Sequence, residues 1–365
     1  MIHEVKLAYL SLPGRKHRDK GLPNEDACAA ISGNGVSVIC ISDGAGGSQY
    51  THAGIGAKSI VKTVSELMLN HFDAFYQDVR ENVVRSILIT AIQSELAILA
   101  NENGIVSLEK LSATMMFCAV KDTRMIYGHI GDGLVAKVSS AGIAPLTIPQ
   151  NGEDPTSTFF ATFPDAQDYL RIVKTTTDDA HAIVLMTDGL SDMVYNSSSF
   201  LVRPVVAALA ELAALPSEEI EPQLKEAILK HVIDSSPLSD DATIGIVYFC
   251  DTESPEMGKL TSEKPMPSID YKDVMRKVQL ELLPRVKLAR SIVSQSGIPL
   301  DTGGTPSEKL AKSEDSTDAD TNNGTQAPVD SKTKMKKRWS KRVYLLCLIG
   351  LISVVVIVAV LIINM

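Results

Sequence analysis

Apolar residues in the first 250 positions fall into short, nearly unbroken runs, and a longer run closes the chain. Val36 to Ile41, Met125 to Ile130, Ala182 to Met186 and Ala242 to Phe249 are apolar at almost every position. Strands buried on both faces read this way. Stretches 52–69 and 74–101, and two more between 200 and 233, carry helical periodicity instead. Runs 111–120, Arg124–Ile130 and 134–138 are separated by only about three residues each, whereas a parallel crossover needs about a dozen, so the spacing predicts an antiparallel meander. Long helices with antiparallel strands define an α+β domain over 1–252: two packed antiparallel β-sheets flanked by helices, an α-β-β-α sandwich.

Beyond residue 252 the pattern changes. A linker and short helices are expected over 253–300, with Val274, Val278 and Leu282 on one stripe and Pro284 dividing the helical stretch in two. Residues 301–342 are rich in Asp, Ser, Thr and Asn and read as a disordered tether ending in a basic segment. From 343 to 364 the chain reads as a transmembrane helix: 344–363 has no charge and would rise about 30 Å as a helix, one hydrocarbon core.

Charge places the pieces. The segment 332–342 holds seven basic residues and no acidic one, and basic flanks stay on the cytoplasmic side. The expectation is a single-pass C-terminal anchor with the large N-terminal part facing the cytosol. Net charge is −9, and removing the +7 of that segment leaves −16 for what precedes it. So acidic a domain argues against a nucleic-acid partner. The five cysteines (28, 40, 118, 250 and 347) lie singly in apolar stretches and suit a core in a reducing compartment better than zinc.

The candidate chemistry sits at strand ends. Asp43-Gly44, Asp132-Gly133 and Asp188-Gly189 each follow an apolar strand, Asp240-Asp241 opens another, and Glu25-Asp26 precedes a short run. One Asp-Gly after a strand is an ordinary turn; five acidic sites beside strands are carboxylates that can converge. Converging carboxylates repel unless cations join them, and hard oxygen ligands suit Mg²⁺ or Mn²⁺. A phosphate-loop look-alike, Gly54-Ile-Gly-Ala-Lys58-Ser59, fails because Ala57 stands where glycine must precede the lysine.

In order and spacing, Asn24-Glu25-Asp26-Ala27, Ser42-Asp43-Gly44-Ala45-Gly46-Gly47, Ser112-Ala113-Thr114, Gly131-Asp132-Gly133, Thr187-Asp188-Gly189-Leu190 and Asp240-Asp241-Ala242-Thr243 resemble the motifs of the metal-dependent protein phosphatases of type 2C, bacterial-type branch. The resemblance spans roughly residues 5 to 250. It implies a serine/threonine phosphoprotein phosphatase with two Mg²⁺ or Mn²⁺ ions between the sheets. Asp43 would bridge both ions and the Gly44 carbonyl would hold one through water. Asp188 and Asp240 would hold the other, completing with Asp43 the catalytic set, and Glu25 and Asp26 would contribute through water or directly. Asp132 matches the position of a looser third ion, and Asp241 has a supporting role.

Two positions depart from the family pattern. Gly21 stands where a phosphate-gripping arginine is common, leaving Lys20 or Arg18 as candidate phosphate ligands, and Ala45 replaces a histidine that serves as general acid. His52 and His129 read as structural. The implied partners are phosphorylated proteins at a membrane, among them a serine/threonine kinase or its target. The competing reading is a non-catalytic, membrane-anchored phosphatase-like scaffold, motivated by Gly21 and opposed by the full set of acidic residues.

Overall fold

The computed structural model describes residues 4–151, 158–177, 179–232, 240–250 and 271–296. The expected tether (301–342) and membrane helix (343–364) lie outside the described residues, as does 251–270 of the linker. In chain order the elements are β1 (Glu4–Leu12), α1 (Arg15–Lys20), β2 (Ala27–Gly33), β3 (Val36–Ser42), α2 (Ala53–Gln77), α3 (Glu81–Glu102), β4 (Met115–Lys121), β5 (Arg124–Ile130), β6 (Leu134–Ser139) and β7 (Gly142–Thr147). There follow α4 (Ala166–Tyr169), β8 (Arg171–Thr176), β9 (Ala182–Met186), α5 (Asp188–Val194), β10 (Tyr195–Asn196), β11 (Leu201–Val202), α6 (Val205–Glu211), α7 (Ser217–His231), β12 (Ala242–Cys250) and α8 (Tyr271–Ser296).

Two five-stranded sheets, ordered β1-β12-β9-β6-β7 and β2-β3-β4-β5-β8, are antiparallel throughout. Alternate side chains of each central strand enter different cores, which is why the runs show no polar face. In β3, Ile39 and Ile41 point between the sheets while Val38 and Cys40 meet α2 and α3. In β9, Ile183 and Leu185 point between the sheets while Val184 and Met186 meet α5 to α7. Three parallel cores thus give the helix-sheet-sheet-helix sandwich expected from sequence. The sheets close tightly where Gly245 faces Ile39; a Cβ there would lie 2.9 Å from Ile39 Cδ1.

Three local expectations are corrected. The meander is not continuous: β4 and β5 form a hairpin, but β6 belongs to the opposite sheet, between β9 and β7. Gly131, at φ +124°, turns the chain away, and Gly133 passes where a Cβ would lie 2.6 Å from the Met186 carbonyl. The stretch 74–101 is broken: Asp78 ends α2, its carboxylate accepting from the Arg80 amide at 2.9 Å and from Arg80 Nε at 2.8 Å, and α3 begins at Glu81. Such an Asx-type turn offers the backbone an alternative to helix. Finally, Pro284 does not divide α8, which runs unbroken past it. Leu280, whose carbonyl loses its donor to the proline, is solvent-exposed, so water can replace the bond. Val278 and Ala289, on either side of Pro284, are buried in the α2–α3 core. Arg285 Nε bonds Glu95 of α3 at 2.7 Å and His71 of α2 meets Glu281 at 3.1 Å. α3 is apolar and long enough to pass for a membrane span, yet 61% of that stretch is buried in this core.

Helix α2 meets the loop before β4 through Gly56, where a Cβ would fall 2.0 Å from the Leu111 carbonyl oxygen. Backbone cannot swing aside as a side-chain tip can. Gly56→Ala should therefore cost about 1–3 kcal/mol of folding free energy, read as a lower urea midpoint. An unchanged midpoint would show that α2 is not locked there.

Candidate active site

The acidic residues collect at one end of the two sheets because five strand ends and turns open there. Asp43 follows β3 and is pinned from both sides: its amide donates to Thr114 Oγ1 at 2.9 Å and its carbonyl accepts from the Thr114 amide at 2.8 Å. Ser42 Oγ donates to the Thr114 carbonyl at 2.5 Å, and Gly44 bridges to Ala113. Gly44 must be glycine, since a Cβ would lie 2.7 Å from the Glu25 carbonyl oxygen. Asp132 occupies the turn that carries the chain between sheets. Asp188 opens α5 straight after β9, and Gly189 beside it packs against the Asp241 carbonyl, 2.0 Å from where a Cβ would stand.

One carboxylate oxygen from each of Asp43, Asp132 and Asp188 lies within 4.8 Å of the others. Asp26 is buried behind them, where Thr243 and Thr187 donate hydroxyl hydrogen bonds to Oδ2 at 2.6 and 2.9 Å. Its other oxygen, and Asp132 Oδ1, are buried without a hydrogen-bond partner. Buried carboxylate oxygens left this way are costly unless something cationic fills the gap. The donor set therefore fits hard divalent ions.

Titration behaviour agrees. Burial, then the charges of Asp26, Asp188 and Asp132, hold Asp43 well above the usual carboxylate range. Burial raises Asp26 to about 7 against the opposing Thr243 hydroxyl, raises Asp132 to about 7 with help from Asp188, and raises Asp188 to about 6 with help from Asp240. Without cations the cluster keeps its protons to higher pH than ordinary carboxylates do.

The remaining candidates are arranged around it. Asp240 is half-exposed, and its Oδ2 pairs with Lys16 of α1 at 3.0 Å rather than joining the trio. The Glu25 carboxylate lies 3.4 Å from His17 Nε2. Asp241 is buried and ties the loops together, accepting from the Gly14 amide at 2.7 Å, the Glu25 amide at 2.6 Å and His17 Nδ1 at 2.8 Å. Arg18 and Lys20 are exposed on α1. Neither His52 nor His129 is placed for chemistry: His52 Nδ1 shares a hydrogen bond with Thr51 at 2.8 Å, and His129 is buried against Thr147 and Arg171. Burial first, then Arg171, holds His129 well below its usual value.

Several residues escaped the sequence reading. Thr114, Thr187 and Thr243 orient the carboxylates, and a threonine beside an acidic motif carries no signal of that role. Asp192, one turn after Asp188 on α5, adds its charge to both Asp132 and Asp188; the i, i+4 spacing was its only trace.

The profile of the protein phosphatase 2C family matches residues 13–228. The chain belongs to that family. It is accordingly a protein-serine/threonine phosphatase whose cofactors are Mg²⁺ or Mn²⁺. Among solved structures it is similar to a bacterial serine phosphatase, at 16% identity and TM-score 0.50, with 69% of this chain covering 100% of that one. A single-residue variant of a bacterial serine phosphatase gives 17% identity, TM-score 0.50 and the same coverage. PppA, a regulatory component of T6SS in Pseudomonas aeruginosa, gives 15% identity and TM-score 0.48, with 68% of this chain covering 99% of that one. The first two likenesses show the shared fold. Among curated proteins no sequence matches this one.

Proton release must accompany cation binding here. The folded carboxyls titrate near 6 to 7 instead of near 4, so between those values the metal-free fold binds extra protons and loses stability as pH rises. Cation affinity runs the other way. Calorimetry should show Mn²⁺ binding tightening by about tenfold or more from pH 5.5 to 7.5. A pH-independent affinity would mean that the ions bind outside this cluster.

Proposed function

We propose that the chain removes phosphate from phosphoserine and phosphothreonine of proteins, using two divalent ions, while tethered to the cytosolic face of a membrane. The observation that carries the reading is the meeting of Asp43, Asp132 and Asp188 above a buried Asp26, from strand ends far apart in sequence. Asp43 and the Gly44 carbonyl would hold one ion, Asp43 with Asp188 and Asp240 the other, and Glu25 and Asp26 would complete the shells. Asp132 would hold a looser third ion. When bound, the ions supply a water of lowered pKa and neutralise the charge developing on the phosphoryl group.

The protein's own part is positioning. Thr114 fixes the backbone of Asp43, Thr187 and Thr243 orient Asp26, and Asp241 sets the peptide of Glu25. The site is held by backbone close approaches at Gly44 and Gly189, so it stays shaped while its charges repel. Ala45 is buried and offers no proton to the leaving alkoxide, so water or another side chain must supply it.

The membrane part rests on sequence: the uncharged run 344–363 behind the basic segment 332–342. A flexible tether over 301–331 would reach on the order of 30 Å and concentrate the domain on phosphoproteins of the same membrane, a serine/threonine kinase or its target among them.

The full chain in detergent should release phosphate from a phosphothreonine peptide with Mn²⁺ and stop with EDTA. Asp43→Asn should lower kcat on the order of a thousandfold, several kcal/mol of lost charge stabilisation. Full activity in that variant would defeat the assignment, and inactivity of the parent chain with every divalent ion would favour the scaffold reading. Separately, the full chain should co-float with lipid vesicles while a chain ending at Arg342 stays behind. Equal behaviour of the two would refute the anchor.

A further inference from the structure

We propose that Lys16 of α1 is the residue that grips the substrate phosphate, in place of the arginine that Gly21 displaces. The proposal rests on the phosphatase reading above and adds the ligand side of the site.

Helix α1 lies against the acidic cluster and buries none of its own side chains. Polar bonds hold it in place. The Gly14 amide and His17 Nδ1 both donate to Asp241 Oδ1, and Gly14 packs so closely on Asp240 that a Cβ would stand 2.3 Å from its carbonyl carbon. The helix ends at Gly21 in the left-handed conformation (φ +63°), with the Gly21 amide donating to the Arg18 carbonyl and the Leu22 amide to the His17 carbonyl. That cap favours the glycine: any side chain there is strained by the left-handed backbone, so this helix end works against an arginine at the same position.

A basic helix takes the arginine's place. Of its lysine and arginine side chains, Lys16 is the one that pairs with an acidic residue beside the trio, its Nζ 3.0 Å from Asp240 Oδ2. Asp240 carries one negative charge; shared with a divalent ion, it holds Lys16 less firmly and leaves the ammonium for a phosphate oxygen. A charge-assisted bond to phosphate is about twice as strong as a neutral one, and lysine serves phosphate as a point charge. His17 acts as a positioning residue, keeping α1 on Asp241 so that Lys16 stays within reach.

The test is calorimetric binding of inorganic phosphate to the Mn²⁺-loaded full chain, run beside Mn²⁺ titration and phosphopeptide kinetics. Lys16→Met should weaken phosphate binding and raise KM about tenfold, leave kcat within about twofold and leave Mn²⁺ affinity unchanged or tighter. Lys16→Arg should restore most of the binding. Lys225→Met, the same charge change on the exposed face of α7, should do nothing. Unchanged phosphate binding in Lys16→Met would overturn the proposal. So would a parallel loss of Mn²⁺ affinity, which would make Lys16 only a prop for Asp240, or an equal effect of Lys225→Met, which would make it bulk charge. Phosphate binding needs no turnover, so a Lys16-dependent affinity in an inactive chain would refute the proposed catalysis and not this assignment.

Discussion

Mutual repulsion among buried carboxylates is the constraint around which this molecule is built. Asp26, Asp43, Asp132 and Asp188 stand close enough that all four cannot ionise without compensation, and burial amplifies the conflict. A chain free to relax would spread them apart. Here they are fixed by features that cannot yield: Gly44 against the Glu25 backbone, Gly189 against Asp241, Gly133 against Met186. The surrounding sandwich, with three apolar cores, supplies the stability that holds a repulsive site in shape.

Compensation comes at two levels. Hydroxyls of Thr187 and Thr243 satisfy one oxygen of Asp26, but its other oxygen and one of Asp132 remain without protein partners. Around this inner set, basic residues of the protein gather at the rim: Lys16 at Asp240, His17 between Glu25 and Asp241. Asp241 is the join between the levels. It lies beside Asp240, yet its own oxygens are taken up by the amides of Gly14 and Glu25 and by His17. The site is therefore graded, from carboxylates that need divalent ions to carboxylates that already have protein donors.

The sandwich and the acidic strand ends were legible in the sequence for a simple reason: burial on both faces removes polar residues from a strand, and Asp-Gly at its end is a local signal. The assignment of β6 to the second sheet was not legible, because loop length distinguishes antiparallel from parallel but does not say which sheet a strand joins. The unbroken α8 was missed because its tolerance of Pro284 depends on tertiary partners, Glu95 and His71, far away in sequence. The break at Asp78 was missed because a side chain capping the next residues but one looks like any helical aspartate. Lys16 was passed over for Lys20 and Arg18 because a lysine in a run of charges reads as solvated. Only the ion pair of its Nζ with Asp240 Oδ2 shows which of them meets the acids.

The most direct test of this account is anomalous diffraction at the manganese edge from crystals grown with Mn²⁺. Two strong peaks should flank the Asp43 carboxylate, one of them shared with Asp188 and Asp240, with a weaker third peak near Asp132. Peaks confined to the protein surface, or an Asp43 carboxylate without manganese beside it in a fully loaded crystal, would contradict it.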